Sequence, residues 1–413
     1  MQEKFSKFSE YNLKFREFLF LVLAFSIPTS AAGISISLIL IFILWLIDGG
    51  YGEKIKELIE NPFFLTILLF AFTNFFGQFW LEVEGVDGHK NWILFLIPVL
   101  ATSVGNNTKT NALFIFLLSM LMVEIGVYYN IISSWSNFLD LNSKSHHDVF
   151  WTVSHITYSP FLVFAISISI IGIINKQFKG LRLYLVIFFT TTMVVNLFII
   201  GGRTGQLTFI FSWLFLSVYF FKDKIGDLIK MLISLFLIIS IAFAFSPVFQ
   251  SRTIQTFKDL ASYINQRSND SQIEINSVSD RLTYYENSYK LFLQSPFFGH
   301  GTGSFKNSYN TFSKNSPTNK RETSNPHNSH LIVLVQFGIV GFIVYLSIFL
   351  SQIHLFRKSA RENPYRPLML LTPFFFFFIS FYDSYMWGHH SQALFAFISA
   401  ILYRQNHLAL HFP

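Results

Sequence analysis

A chain of 413 residues that is 52% hydrophobic and only 13% charged does not read as a set of water-soluble domains, which carry about 25% charged residues. Its 53 Phe residues and mean hydropathy of +0.46 point instead to helices that face lipid. The absence of cysteine excludes disulfide staples and thiolate metal sites. The formal charge of +7 therefore reports first on membrane topology rather than on nucleic acid.

Apolar runs able to cross a hydrocarbon core of about 30 Å follow one another along the chain. They are Leu13–Pro28, Ile34–Ile47, Pro62–Trp80, Trp92–Val104, Ala112–Tyr129, Trp151–Ile174, Leu183–Ile200, Gln206–Phe221, Leu228–Phe249, His330–Gln352, Leu368–Tyr382 and Gln392–Tyr403. The expected architecture is all-α and polytopic, with about twelve spans. Lys14 and Arg16 before Phe18–Ile27, with Ser30-Ala31-Ala32 after it, have the outline of a signal peptide. A second apolar run follows at once, however, so the segment is read as a hairpin of two spans around Pro28-Thr29-Ser30.

Basic residues test this division. With the N-terminus inside, 18 of the 30 Lys and Arg fall in inner segments and only Lys90, Lys144 and Arg203 in short outer loops. The other nine lie in a long polar segment from about Gln250 to Ser329. That is a positive-inside pattern with both termini cytoplasmic, and long loops are exempt from the rule. The expected organisation is spans one to nine over 1–249, a long outer loop over 250–329, and spans ten to twelve over 330–413.

Within the loop, Asp280–Phe292 reads as an amphipathic helix. Leu282, Tyr285, Tyr289 and Phe292 make its apolar face, Ser279 or Asp280 caps its start, and Pro296 with the Gly299–Gly303 turn ends it. The Phe374–Phe378 run is read as lipid-facing.

Three residues stand out for chemistry. Arg203 sits in Gly201-Gly202-Arg203-Thr204-Gly205, where a span begins and helix N–H groups converge. That suits a phosphate or diphosphate anchor; a cation snorkelling to the interface is the other reading. Arg281 opens the amphipathic helix and is either directed at the same place or solvated. His327, in Asn325-Pro326-His327-Asn328-Ser329-His330, is either a proton acceptor at the membrane boundary or part of a capping turn with Asn328 or Ser329 as cap. His330, one turn on, is secondary. His146-His147 and His389-His390 lack metal-ligand spacing. Glu82, Glu84 and Asp87 read as a solvated acidic loop. Glu124 is a polar residue inside a span.

The stretch from Arg281 to Gly341 resembles the signature of the O-antigen ligase and polymerase superfamily. Its pattern is an Arg-led helix, then Pro and a glycine turn followed by Phe, here Ser295-Pro296-Phe297-Phe298-Gly299-His300-Gly301-Thr302-Gly303-Ser304-Phe305. A ligase pattern of His, a small amide or hydroxyl residue, nine residues, Gly, two residues and a small residue is met by His327-Asn328, Gly338 and Gly341. A shorter pattern, Arg, three residues, Leu, is met by Arg203 and Leu207.

The resemblance implies a GT-C-like glycosyltransferase of the bacterial inner membrane, working at the periplasmic face without a metal or other cofactor and with inversion. Its donor would be a glycan on undecaprenyl diphosphate and its acceptor a lipid A–core sugar. Arg203 and Arg281 would hold the diphosphate and His327 would act as base, with His330, Asn328, Gly299, Gly301 and Gly303 in support. An O-antigen or exopolysaccharide polymerase or a protein O-oligosaccharyltransferase of the same superfamily remains an alternative. So does a non-enzymatic transporter of an anionic lipid or solute, although no paired broken helices in two similar halves are seen in the sequence.

Overall fold

The computed structural model describes residues 2–79, 91–134, 152–268, 274–315 and 321–404. Glu82, Glu84, Asp87, Lys90, Lys144, His146 and His147 lie outside the described residues. Within them the chain is helical throughout, with no strand.

The chain opens with the expected hairpin. Helix α1 (Gln2–Ser26) turns through Ile27–Ser30 into α2 (Ala31–Ile47), whose start is capped by the Ser30 hydroxyl accepting from the Gly33 N–H. Gly49 and Gly50 both adopt left-handed backbone, which glycine enters without a Cβ penalty. They swing the chain by 117° into α3 (Tyr51–Glu60). Then come α4 (Pro62–Phe76) and two short helices, α5 (Trp92–Phe95) and α6 (Ile97–Thr102). The sequence suggested one span over Trp92–Val104. Pro98 has no N–H to return to the Leu94 carbonyl, and the run breaks into pieces too short to cross a bilayer core.

Helices α7 (Asn106–Ser133), α8 (His155–Ile174), α9 (Leu181–Ile199), α10 (Arg203–Phe221) and α11 (Ile225–Phe245) follow. The expected ninth span runs to Phe249, but α11 stops at Phe245. Ser246 accepts from the Phe249 N–H while its own hydroxyl donates to the Phe198 carbonyl, and Pro247 starts α12 (Pro247–Ser268). The polar loop thus contains α12, α13 (Ser277–Phe292) and α14 (Phe305–Asn315). The chain ends with α15 (Ser329–Lys358), α16 (Arg366–Ile379) and α17 (His389–Leu402).

Six of these helices, within α7 to α11 and in α15, are long and apolar enough to cross a membrane, and the bent α2–α3 pair makes a seventh if counted as one. The first apolar run lies in α1, a 25-residue helix that is not among these six, and the other runs form shorter or broken helices. The lipid-facing reading of Phe374–Phe378 fits Phe374, which is 39% exposed, but not Phe375 and Phe376, which are fully buried. They pack edge-on against Phe164 at 5.0 Å and Phe395 at 4.9 Å, because α16 lies among α8, α10, α15 and α17.

The two ends of the bundle differ in chemistry. At one end Arg16 pairs with Asp48 at 2.8 Å, and Arg404 pairs with Glu57 at 2.7 Å while donating to the Ala101 and Val104 carbonyls. These come from segments expected to be inner. The segments expected to be outer meet at the other end, where Gly77, Arg203, the polar loop and the Asp383 turn converge. There His389 lies near Ser35 and the Ala31 carbonyl, and His390 near the Ile27 carbonyl, so this His pair fastens the α1–α2 hairpin to α17.

The polar loop is fastened to a broken span. Gly338 interrupts α15 with φ 62° and ψ −161°, which strips neighbouring backbone groups of their helical partners. The Pro296–Gly301 turn supplies replacements. His300 and Gly301 N–H groups donate to the Val335 and Gln336 carbonyls at 2.9 Å each, and Ile339 and Val340 N–H groups donate to the Pro296 and Phe297 carbonyls at 2.8 and 3.2 Å. This approach explains two glycines. A Cβ on Gly299 would lie 2.4 Å from the Gln336 carbonyl carbon, and one on Gly338 would lie 2.4 Å from that of Phe297. Thr302 completes the join, bonding the Gly77 and Asn74 carbonyls.

Candidate functional site

Arg203 is the first residue of α10. The helix start sits tightly on α8, since a Cβ on Gly202 or Gly205 would run into Ser159. Gly202, at the cap, offers no side-chain acceptor to the first helical N–H groups. The Arg203 guanidinium spans two other elements, donating to Thr256 on α12 at 2.9 Å and to Ser277 at the start of α13 at 2.5 Å. It has no ion-pair partner among the described residues.

Helix α13 starts three residues earlier than the sequence suggested. Its cap is Asn276, not Ser279 or Asp280. The Asn276 side chain accepts from Val278 and Ser279 N–H groups, and the Ser279 hydroxyl accepts from the Asn276 N–H, a reciprocal capping box. Arg321 clamps this end from outside through Asp280, Ser279 and the Glu274 carbonyl. The buried face is also not the apolar one expected. Thr283, Asn287, Ser288 and Leu291 point inward, whereas Tyr289 is 54% exposed. The other members of the expected face, Leu282, Tyr285 and Phe292, are half-buried.

A third stripe of α13 serves the site. Ser277, Arg281 and Tyr285 recur at four-residue spacing and so share a face. Ser277 holds Arg203. The Tyr285 hydroxyl lies 2.7 Å from the Phe381 carbonyl and 3.1 Å from the His327 carbonyl, its one proton shared between them. Burial first, opposed by Arg281, pushes the Tyr285 phenol up, so it remains a donor. Arg281, between the two, makes no hydrogen bond or ion pair among the described residues. Its charge reaches both Arg203 and Asp383.

His327 adopts left-handed backbone with φ 53°, uncommon for a residue with a Cβ and a mark of local constraint. The constraint is Asn325, whose side-chain oxygen accepts from the His327 N–H at 2.8 Å and from the Ser384 hydroxyl. Asn328 caps α15 through the His330 and Leu331 N–H groups, so the capping reading of this turn is right for Asn328 and leaves His327 free for another task. The His327 Nδ1 lies 3.2 Å from Asp383 Oδ1. A neutral imidazole that donates Nδ1–H to this carboxylate presents the Nε2 lone pair outward. Asp383 also accepts from the Ser384 N–H at 2.6 Å. Burial pushes its carboxyl up, but His327, the Ser384 N–H and Arg281 outweigh burial and hold it below the usual carboxylate range.

His330 does not join this group. It is 4% exposed, packed among Phe342, Tyr345, Phe377 and Phe381, with Nε2 3.1 Å from the Phe377 carbonyl. Gly299, Gly301 and Gly303 all take positive φ and build the turn that docks on α15. Glu124 is buried in α7 and has no ion-pair partner among the described residues.

Two residues were not singled out in the sequence. Asp383 follows an apolar run in Phe381-Tyr382-Asp383-Ser384-Tyr385, and a carboxylate between two expected spans was the available signal. Arg252, on the first turns of α12, lies over Gly201, where an added Cβ would sit 3.4 Å from its Nε. Its charge acts on Arg203 together with that of Arg281, partly offset by Asp259. Three guanidinium groups therefore gather beside the uncapped start of α10, an arrangement suited to a multiply charged anion. The described residues contain no group of His and carboxylates spaced to hold a metal.

Residues 187–346 match the family model described as O-Antigen ligase. That region holds Arg203, Arg252, Arg281 and His327, and ends before Asp383. No curated protein matches the chain.

Proposed function

From its membership of the O-antigen ligase family, carried by residues 187–346, we propose that this chain is a glycosyltransferase: an O-antigen ligase that moves a glycan from undecaprenyl diphosphate to a sugar of lipid A–core. The observation that carries this reading is the His327–Asp383 pair standing along one face of α13 from the arginines. The proposed division of labour follows from charge. The acceptor hydroxyl attacks the anomeric carbon, and the bond from that carbon to the diphosphate breaks. His327 Nε2 takes the hydroxyl proton, and Asp383 stabilises the imidazolium that results. Arg203 and Arg281, with Arg252 beside them, hold the departing diphosphate, whose negative charge grows as the bond breaks. The guanidinium groups supply the positive charge a metal would otherwise bring, so the reaction is proposed to be metal-independent. A single displacement inverts the anomeric centre.

In this reading the chain is a GT-C-like enzyme of the bacterial inner membrane. The bundle end holding Arg203 and His327 faces the periplasm, and the basic end with Arg16 and Arg404 faces the cytoplasm with both termini. The spans over 1–249 and 330–413 form the membrane body, and 250–329 the periplasmic part.

The test is made in cells, with His327→Ala and Arg203→Ala brought to wild-type abundance and surface glycolipid analysed. A ligase leaves core lipid uncapped while polymerised, carrier-linked glycan accumulates. Core lipid bearing single repeat units instead means a polymerase. Wild-type glycolipid in both variants removes the site. Purified chain assayed with chelator tests independence from metals.

A further inference from the structure

A second concavity opens on the Asp383 side of the pair. It is a cavity of about 330 Å³, lined by Asn74, Asn325, Gln336, Asp383, Ser384 and Trp387 among others. None of Arg203, Arg252, Arg281 and His327 lines it. It nevertheless touches the reacting group closely: Asp383 holds His327 Nδ1, and Asn325 holds the His327 N–H. Its size lies within the range of small-molecule sites.

The lining identifies a class of occupant. Most of its polar groups are neutral amides and hydroxyls, which both donate and accept. The one carboxylate, Asp383, is held by His327, and the one cation, Lys306, is an exposed residue of the lining. An anion or a cation would thus meet little opposite charge. Trp387 adds a flat apolar face, and its indole N–H has no partner among the described residues. Gln336 is the sharper observation. It is 6% exposed and lies beside the Gly338 break. Its main-chain carbonyl is taken by Gly301, but its side-chain amide has no hydrogen bond among the described residues. The amide keeps contact with open space, and the residue lines this cavity.

We propose that this cavity binds an uncharged sugar ring of the acceptor, with Gln336 bonding ring hydroxyls and Trp387 covering the ring's C–H face. The proposal rests on the glycosyltransferase reading above and extends it: donor diphosphate on the arginine side, acceptor sugar on the Asp383 side, the His327–Asp383 pair between them. A ring held there anchors the acceptor away from the cationic side, and the attacking hydroxyl then lies beyond the cavity, at His327 Nε2.

The experiment uses the full chain in lipid nanodiscs, with Gln336→Leu and the milder Trp387→Phe, each checked for an unchanged melting temperature. Saturation-transfer NMR with methyl α-glucopyranoside, and with core oligosaccharide freed from lipid A, reads binding directly. Transfer assays with carrier-linked glycan and core lipid read the kinetics. The expected result is saturation at sugar ring protons that falls in both variants. The acceptor KM should rise by about tenfold, with kcat and donor KM unchanged, as for a lost contact made equally in ground and transition states. Sugar binding and acceptor KM equal to wild type in both variants would overturn the cavity and leave the transferase intact. Sugar binding that depends on Gln336, in a chain that transfers no glycan, would support the cavity and remove the transferase reading.

Discussion

Ser277 and Tyr285, two turns apart on one face of α13, hold the Arg203 guanidinium at one end and the His327 carbonyl at the other. One surface helix thereby sets the distance between the proposed anion-binding group and the proposed base. Arg281 stands between them on the same face, so any rigid shift of α13 moves all three contacts together.

The arginines differ in what they are expected to contribute. Arg203→Ala should lower kcat by on the order of 10²–10³, the usual loss on removing one donor to a developing negative charge. Arg203→Lys keeps the charge but not the planar fork and should recover only part of the rate. Arg252→Ala should raise the donor KM by about tenfold while leaving the acceptor KM as it is. Steady-state kinetics with donor and acceptor varied separately decide this. A donor KM untouched by Arg252→Ala means that the third arginine only supports Gly201.

The two neighbouring histidines should separate cleanly. His327→Ala is expected to reduce transfer by on the order of 10²–10⁴, the range of general-base catalysis. His330→Phe keeps an aromatic ring among Phe342, Phe377 and Phe381 but leaves the Phe377 carbonyl unpaired, at about 1–3 kcal/mol of stability. It should therefore melt earlier and still transfer at close to the wild-type rate. Equal loss of activity in both would mean that the aromatic cluster, not His327, governs the rate.

Asp383 makes the site's stability depend on pH in one direction. Its folded pKa is depressed, with burial opposing and His327 leading the groups that overcome it. The stabilisation is therefore complete above the ordinary carboxylate value of about 3.9 and is lost as pH falls through the lower folded value. Asp383→Asn should melt below wild type at pH 7, and the gap should close on acidification below that range. Thermal melts between pH 7 and pH 3 check this, and a gap that stays constant throughout would contradict it. In the transfer assay the same variant should lose rate on the order of 10²-fold, still within the base-catalysis range.

Gly299 and Gly338 should behave as one unit. Each holds positive φ, 69° and 62°, and each would drive a Cβ into the other's segment. Gly299→Ala and Gly338→Ala should both lower the melting temperature strongly, adding a left-handed backbone penalty of about 1–2 kcal/mol to a clash with main chain. Once one substitution has forced the segments apart, the second meets less resistance, so the double variant should cost less than the sum. Strict additivity in a double-mutant cycle would falsify the interlock.

The outline of the fold was legible because lipid-facing helices advertise themselves by run length and by the placement of Lys and Arg. The breaks were less legible. Pro98 and Pro247 end helices through missing N–H groups within runs whose composition stays apolar, so hydropathy alone joined what they separate. In α13 the periodic apolar residues marked a face, but Thr283, Asn287 and Ser288 took the packed one. Periodicity finds a stripe without saying which stripe packs closest. Arg203 was visible because a cation near an apolar segment is costly, whereas Arg281 and His327 stood out chiefly through the motif they belong to. Asp383 is equally costly, yet it lies far from His327 in sequence, and only the turn after α16 brings them together. Arg252 was counted among the charges of the loop, since nothing in its neighbours distinguishes it from Lys258 or Arg267.

The join between the polar loop and α15 is made from amide and carbonyl groups that every residue carries. Its main-chain hydrogen bonds place no demand on side-chain identity, provided that two positions stay without a Cβ. Chains sharing this joint can then differ in sequence while keeping His327 and Arg203 in register. Kinship among them is written in the spacing of a few glycines more than in overall identity, and a hunt for distant kin of this chain is best conducted by searching for that spacing.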